Sequence, residues 1–297
     1  MVFRTRIDRM NTDKIFSILT LLLTFIILLP INLHAHAGDL FIIGGGSRPS
    51  SMIHHLVELA GGEQSHVIVI PNASGNPIDV AEYQTNQFRE HGAGSAEYIF
   101  AKNDAVNADS NVAKIDKATC IFFSGGDQRR LTADLLNSKL LAKIKEKWQQ
   151  GCVISGTSAG AAVMSELMIT GDEKLNKSKY SFITVEPGNV IMTPGFSFVK
   201  KAIIDQHFIK RNRQNRLISV VLENPDLLGI GIDESTAIQV HEDGTFEVVG
   251  ENSVMIFDAK KAKNIQTDER NNFSASNIKM HLLIDGQSFD MNKRKVK

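Results

Sequence analysis

Three short apolar runs in this chain stop on glycine. Asp39-Leu-Phe-Ile-Ile43 runs into Gly44-Gly45-Gly46, Thr119-Cys-Ile-Phe-Phe123 into Ser124-Gly125-Gly126, and Cys152-Val-Ile-Ser155 into Gly156. None of them alternates polar with apolar residues. Each therefore reads as a strand buried on both faces, the mark of a mostly parallel sheet with helices on both sides. His66-Val-Ile-Val-Ile70 and Ala96-Glu-Tyr-Ile-Phe100 complete five such strands. Helix-like stretches separate them: from Ser50 or Ser51, either able to cap, to about Ala60, across about Val80 to Glu90, and from about Gln128 to Gln150. In α/β sheets of this kind a ligand site forms beyond the carboxyl ends of the strands. The three glycine segments are thus expected on one rim.

From about Leu228 the pattern changes to short strands, Leu228-Gly-Ile-Gly-Ile-Asp233, Ser235–Val240, Thr245–Val249 and Ser253–Asp258. Asp243-Gly244 sits between two of them as a hairpin tip. The expectation is a late β-hairpin layer completing one α/β domain over residues 38–297, with no internal repeat and no Pro, Gly or Ser linker.

The N-terminus is built differently. Arg4, Arg6, Arg9 and Lys14 precede an apolar run from Ile15 to Leu33, and Ala35-His36-Ala37 follows as a small-x-small site. This reads as a signal peptide over residues 1–37, cut after Ala37, which implies a secreted or periplasmic protein with no stable membrane anchor after cleavage. An uncut anchor would need about 18 apolar residues, but Pro30 and the Ala-x-Ala site favour cleavage.

The formal net charge is zero, which gives a nucleic-acid or anionic-membrane partner no bulk electrostatic support. The segment removed carries four basic and two acidic residues, leaving 29 Lys and Arg against 31 Asp and Glu. Cys120 and Cys152 are the only cysteines and sit in apolar runs, so buried free thiols are expected, although an export compartment permits a disulfide. No His and Cys spacing resembles a metal site, and no cofactor is expected.

Gly156-Thr157-Ser158-Ala159-Gly160 is a G-x-S-x-G nucleophile elbow. It follows a buried strand and precedes small residues suited to a helix, the strand–turn–helix setting the motif requires. The Ser158 hydroxyl is then exposed at the turn, and the Ala159 N–H is the natural oxyanion donor. A serine hydroxyl needs a base and the base an orienting acid. Of nine His residues, His207 in Ile204-Asp-Gln-His-Phe208 stands out, because polar residues flank it at the end of an apolar run. Asp233 and Glu234 both follow a glycine-containing apolar strand, and either can serve as the acid. The order Ser, His, acid differs from the Ser, acid, His order of α/β-hydrolases, which argues against an ordinary lipase or esterase.

The ordered set of motifs resembles the cyanophycinases, within the serine peptidase group that also holds peptidase E. The matching segments are Ile43-Gly-Gly-Gly46, Phe123-Ser-Gly-Gly-Asp-Gln128, Gly156-Thr-Ser-Ala-Gly-Ala161, Asp205-Gln-His-Phe208 with Arg211, Arg213 and Arg216 beyond it, and Gly231-Ile-Asp-Glu-Ser-Thr-Ala237. They span nearly all of the chain after the signal segment, and that segment makes the likeness one to the secreted type.

The resemblance implies a fold akin to class I glutamine amidotransferase domains, with Ser in place of Cys at the elbow. It implies Ser158 as nucleophile, His207 as general base and Glu234, rather than Asp233, as the acid. It implies an oxyanion hole from Gly125, Gly126, Asp127 and Ala159, and a pocket lined by Gln128, Gln206, Arg211, Arg213 and Arg216. The implied substrate is cyanophycin, a poly-aspartate with arginine on each β-carboxyl, or β-aspartyl-arginine peptides derived from it. The product is the β-Asp-Arg dipeptide, and a homodimer is the assembly the family suggests. Arginine clamps suit the free carboxylates of this substrate. On a regular helix Arg211 would share a face with His207, whereas Arg213 and Arg216 would point elsewhere. Two other readings fit the same residues: a secreted aspartyl dipeptidase, and a catalytically silent binding protein that kept the pocket.

Overall fold

The computed structural model describes residues 36–175 and 182–297. The basic and apolar part of the expected signal peptide, residues 1–35, lies outside the described residues.

The five expected strands form the parallel part of a nine-stranded sheet. They are β1 (Leu40–Ile43), β2 (His66–Ile70), β3 (Ser95–Tyr98), β4 (Cys120–Phe123) and β5 (Val153–Thr157), and they lie side by side in the order β1-β5-β4-β2-β3. Four of them are buried and the fifth, β3, is half-exposed at the sheet edge. Their lack of alternation has a direct cause. Phe41 and Ile43 of β1 face one apolar cluster and Leu40 and Ile42 the other, so both faces are covered. Helices α1 (Ser50–Leu59) and α2 (Pro77–Glu90) cover the first face through Met52, Ile53, Leu56 and Phe88. After the short α3 (Asp109–Lys114), α4 (Gln128–Leu135), α5 (Lys139–Gln149) and the single turn α6 (Ala159–Ala162) cover the second. Phe41, Phe122 and Phe123 are fully buried, each worth roughly 1.5–3 kcal/mol of transfer free energy.

The stretch expected as one helix from Gln128 to Gln150 is two. Asn137 takes a left-handed φ of 62° and ends the first. Ser138 starts the second, its Oγ accepting the Leu141 N–H at 3.1 Å. Helix α2 begins at Pro77, three residues earlier than expected, because proline at the first helical position costs no hydrogen bond.

The later strands do more than add one hairpin layer. A short pair, β6 (Leu167–Glu173) and β7 (Val190–Pro194), comes first. A second sheet then holds β8 (Ala202–Gln206) parallel to β9 (Leu228–Ile232), with α7 (Gln214–Glu223) between them in the chain. The expected hairpin, β10 (Thr236–Val240) and β11 (Thr245–Gly250), extends the large sheet antiparallel from β1. β12 (Val254–Asp258) returns to the second sheet beside β9. β13 (Lys263–Thr267) and β14 (Phe273–Ser276) pair with each other, and β15 (Lys279–Leu283) lies outside β12. β16 (Ser288–Asp290) and β17 (Lys295–Val296) finish the edge of the large sheet.

The two sheets pack on each other. Ile204, Ile230 and Ile232 of the second share one core cluster with Ile42, Ile121 and Ile154 of the first. The ends of β1, β5, β8 and β9 carry the glycine turn, Ser158, His207 and Glu234, and the end of β4 carries the Gly125-Gly126 loop.

Candidate active site

The chain turns sharply after β5. Ser158 has φ 54° and ψ −109°, a region sparsely populated by residues with a side chain. The turn is pinned because the Ser158 N–H donates to the Ile43 carbonyl at 3.1 Å. The glycines of the elbow have a steric reason: a Cβ on Gly156 would come 2.5 Å from the Gly160 carbonyl oxygen. The hydroxyl is thereby presented beyond the end of the strand, as the motif predicts.

His207 follows β8 directly. Its N–H donates to the Gly44 carbonyl at 2.7 Å, which fixes the residue against the end of β1. Ser158 Oγ lies 2.9 Å from His207 Nε2, and Glu234 Oε1 lies 2.6 Å from His207 Nδ1. In the tautomer that satisfies both, the serine O–H donates to Nε2 and Nδ1–H donates to the carboxylate. Burial pushes the His207 pKa below its ordinary value. The hydrogen bond to Glu234 opposes that shift, and the charges of Arg211 and Arg213 reinforce it. The imidazole is therefore held neutral, the form that accepts a proton.

Asp233 and Glu234 point to different partners. Asp233 turns toward the loop after the histidine, where its Oδ1 accepts the N–H groups of Ile209 and Lys210 at 3.1 and 2.9 Å. Glu234 is left to meet the imidazole. Ser235, at φ 53°, donates its N–H to the Gly45 carbonyl, so the turn after β1 holds both the histidine and the acid.

The other expected site residues separate into two groups. Gln206 is at the site, with Oε1 3.4 Å from Ser158 Oγ. Gly125 lies against the nucleophile: a Cβ on it would stand 3.3 Å from Ser158 Cβ. The backbone N–H groups of Gly125, Gly126 and Ala159 have no partner among the described residues. The Asp127 N–H, expected in the oxyanion hole, is instead committed to the Ala73 carbonyl at 2.9 Å, and its carboxylate caps α4 and pairs with Arg129. The Gln128 amide nitrogen donates to the carbonyls of Ile169 and Thr170, docking β6 beside the site.

Residues 207–212 form a turn, not a helix, since His207 and Asn212 both have positive φ. The arginines consequently diverge. Arg216 is buried, and its guanidinium is paired through two nitrogens with Asp205, equally buried, which removes it from the expected pocket lining. Arg213 donates to the Gln206 carbonyl at 2.7 Å, and burial, then the neighbouring Arg216, brings its pKa down to about 10. Of the three, Arg211 is the one that is exposed with no carboxylate of the described residues on its guanidinium, close enough for its charge to act on His207.

Two supporting contacts escaped the sequence reading. Ser124 Oγ donates to Gln84 Oε1 at 2.5 Å with both side chains buried, which ties the Gly125-Gly126 loop to α2. Asn252 Nδ2 donates to the Glu234 carbonyl at 2.8 Å. Nothing in the spacing of Gln84 or Asn252 marks them, because each acts on the site from a separate element.

Comparison with known proteins gives a consistent set. A family model described as Peptidase family S51 matches residues 40–248. A cyanophycinase from Synechococcus elongatus is 32% identical over 272 residues, covering 88% of this chain and 81% of that protein. A cyanophycinase from Trichormus variabilis is also 32% identical, over 242 residues, 80% of this chain and 79% of the relative. The crystal structure of a peptidase from an acI-B1 Actinobacterium superposes with a TM-score of 0.63 at 24% identity, over 86% of this chain and 98% of that one, a likeness of fold.

Proposed function

The chain belongs to peptidase family S51 and is a serine-type peptidase, and from that premise we propose that it is a secreted exopeptidase that hydrolyses cyanophycin to β-Asp-Arg dipeptides. The observation that carries the catalytic part is the continuous chain of Ser158, His207 and Glu234 at 2.9 and 2.6 Å. The substrate part is supported by the cyanophycinases to which the chain is similar over most of its length.

In this reading Ser158 Oγ attacks the carbonyl carbon of an aspartyl residue in the polymer backbone. His207 Nε2 takes the hydroxyl proton as the new C–O bond forms. Glu234 holds the imidazole by Nδ1–H and stabilises its positive charge. The oxyanion is received by the N–H groups of Ala159 and Gly126. The intermediate collapses as the C–N bond breaks and His207 returns its proton to the leaving amine. Water, deprotonated by the same imidazole, then hydrolyses the acyl-enzyme.

Each repeat of the substrate carries a free α-carboxylate on its arginine. The exposed Arg211 suits that group, with Gln206 and Arg213 on the wall behind it. Secretion rests on the N-terminal pattern, and the exported protein is expected to begin at Gly38.

Incubation of the purified protein with insoluble cyanophycin granules, followed by mass spectrometry of the supernatant, tests the proposal. Release of β-Asp-Arg dipeptide that is absent with Ser158→Ala supports it. Cleavage of short aspartyl dipeptides without release from granules would reassign the substrate and keep the triad. N-terminal sequencing of the exported protein tests the cleavage site separately.

A further inference from the structure

Arginines in this chain meet carboxylates wherever they leave the surface, with one exception. Among the described residues the arginines that are not exposed are Arg48, Arg213, Arg216 and Arg294. Arg213 and Arg216 meet Asp205, and Arg294 meets Asp258. Arg48 meets no carboxylate among the described residues. Its Nε and Nη2 donate to a single neutral acceptor, Gln87 Oε1, at 3.2 and 2.8 Å. Its guanidinium carbon stands 5.7 Å from the centre of the Phe122 ring. Burial lowers its pKa, against the opposing effect of the Tyr83 phenol. Nη1 makes no hydrogen bond among the described residues and is not sealed off from solvent. A guanidinium drawn partly out of water with no anion beside it is unfavourable. A free donor on such a group is a seat for a carboxylate.

Arg48 stands at the catalytic rim. It follows the Gly44-Gly45-Gly46 turn by two residues, and the intervening Ser47 has its Oγ 3.0 Å from Ser235 Oγ, next to the acid of the triad. Gln87 lies one helical turn beyond Gln84 on α2, and Gln84 holds Ser124 at the start of the Gly125-Gly126 loop. Phe122 belongs to β4, and β5, which leads into Ser158, lies between β1 and β4. The Arg48 side chain therefore passes from the end of β1 to β4 across the strand that carries the nucleophile. It does so on the face covered by α1 and α2, because Phe122 belongs to their apolar cluster. The second sheet, from which His207 and Arg211 follow, packs on the other face. Two guanidinium groups without a carboxylate thus flank the nucleophile, Arg211 on the side of the base and Arg48 on the side away from it.

We propose that Arg48 is a second carboxylate clamp, which binds the free α-carboxylate of the substrate repeat adjoining the one held by Arg211. The proposal rests on the cyanophycin reading above. Each repeat carries one such carboxylate, and cleavage between two repeats places one on either side of Ser158.

The dimer of β-Asp-Arg is the smallest substrate with both carboxylates. Two analogues, each with one arginine carboxylate replaced by a carboxamide, remove one charge at a time. With the wild type, each analogue is expected to raise KM at least about tenfold over the parent dimer. In Arg48→Gln one analogue is expected to lose that penalty and the other to keep it. Arg211→Gln is expected to relieve the opposite one. Arg48→Lys, which keeps the charge and not the planar fork, is expected to retain part of the penalty. Each ratio is taken within one variant, so a general loss of folding or turnover cancels, and a merely structural Arg48 would leave both ratios as in the wild type. The clamp is overturned if Arg48→Gln relieves neither analogue, both, or the same one as Arg211→Gln. Failure of the wild type to cleave either the dimer or the polymer would refute the cyanophycin reading, and this proposal with it.

Discussion

The imidazole of His207 occupies the space that a side chain on residue 45 would need: a Cβ on Gly45 would lie 2.5 Å from Nε2. Gly45 also has a φ of 110°, a conformation that residues with a side chain rarely adopt. Gly46 stands in the same relation to the acid, its Cβ position 2.7 Å from that of Glu234. The glycine turn is thus the floor on which the base and its acid rest.

Gly45→Ala is therefore expected to displace the imidazole and to lower kcat/KM by at least about 100-fold, the cost of a shift near 1 Å in reacting geometry. Steady-state kinetics checks this. Activity within tenfold of the wild type would mean that the histidine is not held by this turn.

The two adjacent acids are expected to fail in different ways. Glu234→Gln keeps the shape but loses the charge that steadies the imidazolium, and kcat is expected to fall by about 10⁴ with little change in Tm. Asp233→Ala strands two N–H groups of the loop after His207. It is expected to cost about 1–3 kcal/mol of stability, read by chemical denaturation. Equal kinetic losses with no stability difference would contradict this division of roles.

His207 acts as a base only when neutral, and its pKa lies below the ordinary value of about 6.5. The kcat/KM profile is expected to rise with pH through a midpoint below that value and then to level. Arg211 contributes to the lowering, so Arg211→Gln is expected to raise the pKa and move the acid limb to higher pH. A limb that stays in place or moves to lower pH would remove Arg211 from the electrostatics of the base.

Cys120 and Cys152 are expected to remain reduced even in an oxidising compartment. Cys120 belongs to the core cluster on one face of the large sheet and Cys152 to the cluster on the other. Burial pushes the Cys152 pKa up to about 12 and raises that of Cys120 as well, so neither offers a thiolate at neutral pH. Thiol titration should find both groups unreactive in the native protein and both free after denaturation. A disulfide in the denatured, unreduced protein would refute this.

The five parallel strands and the elbow were legible in the sequence. Each depends on local pattern: a buried strand needs an unbroken apolar run, and the Ser158 turn needs its glycines. Glu234 was separable from Asp233 only by resemblance, because two neighbouring acids after a strand look alike until the fold commits Asp233 to the N–H groups of Ile209 and Lys210 and leaves Glu234 against the imidazole. The fates of Arg213 and Arg216 were illegible for a related reason. A helix through residues 207–216 would have spread the arginines by periodicity, but the left-handed residues His207 and Asn212 break it. The buried Asp205 then captures Arg216. The split of the late strands between two sheets was equally hidden, since no property of β9 and β12 alone distinguishes their sheet from that of β10 and β11.

That split has a consequence for when the enzyme becomes an enzyme. The nucleophile hangs from the large sheet, whereas the base and its acid hang from β8 and β9 of the small one. A chain that has completed either sheet alone holds a hydroxyl without a base, or a base without a hydroxyl. Catalytic competence is therefore a report that the two sheets have docked, and a partly folded chain is chemically silent by construction.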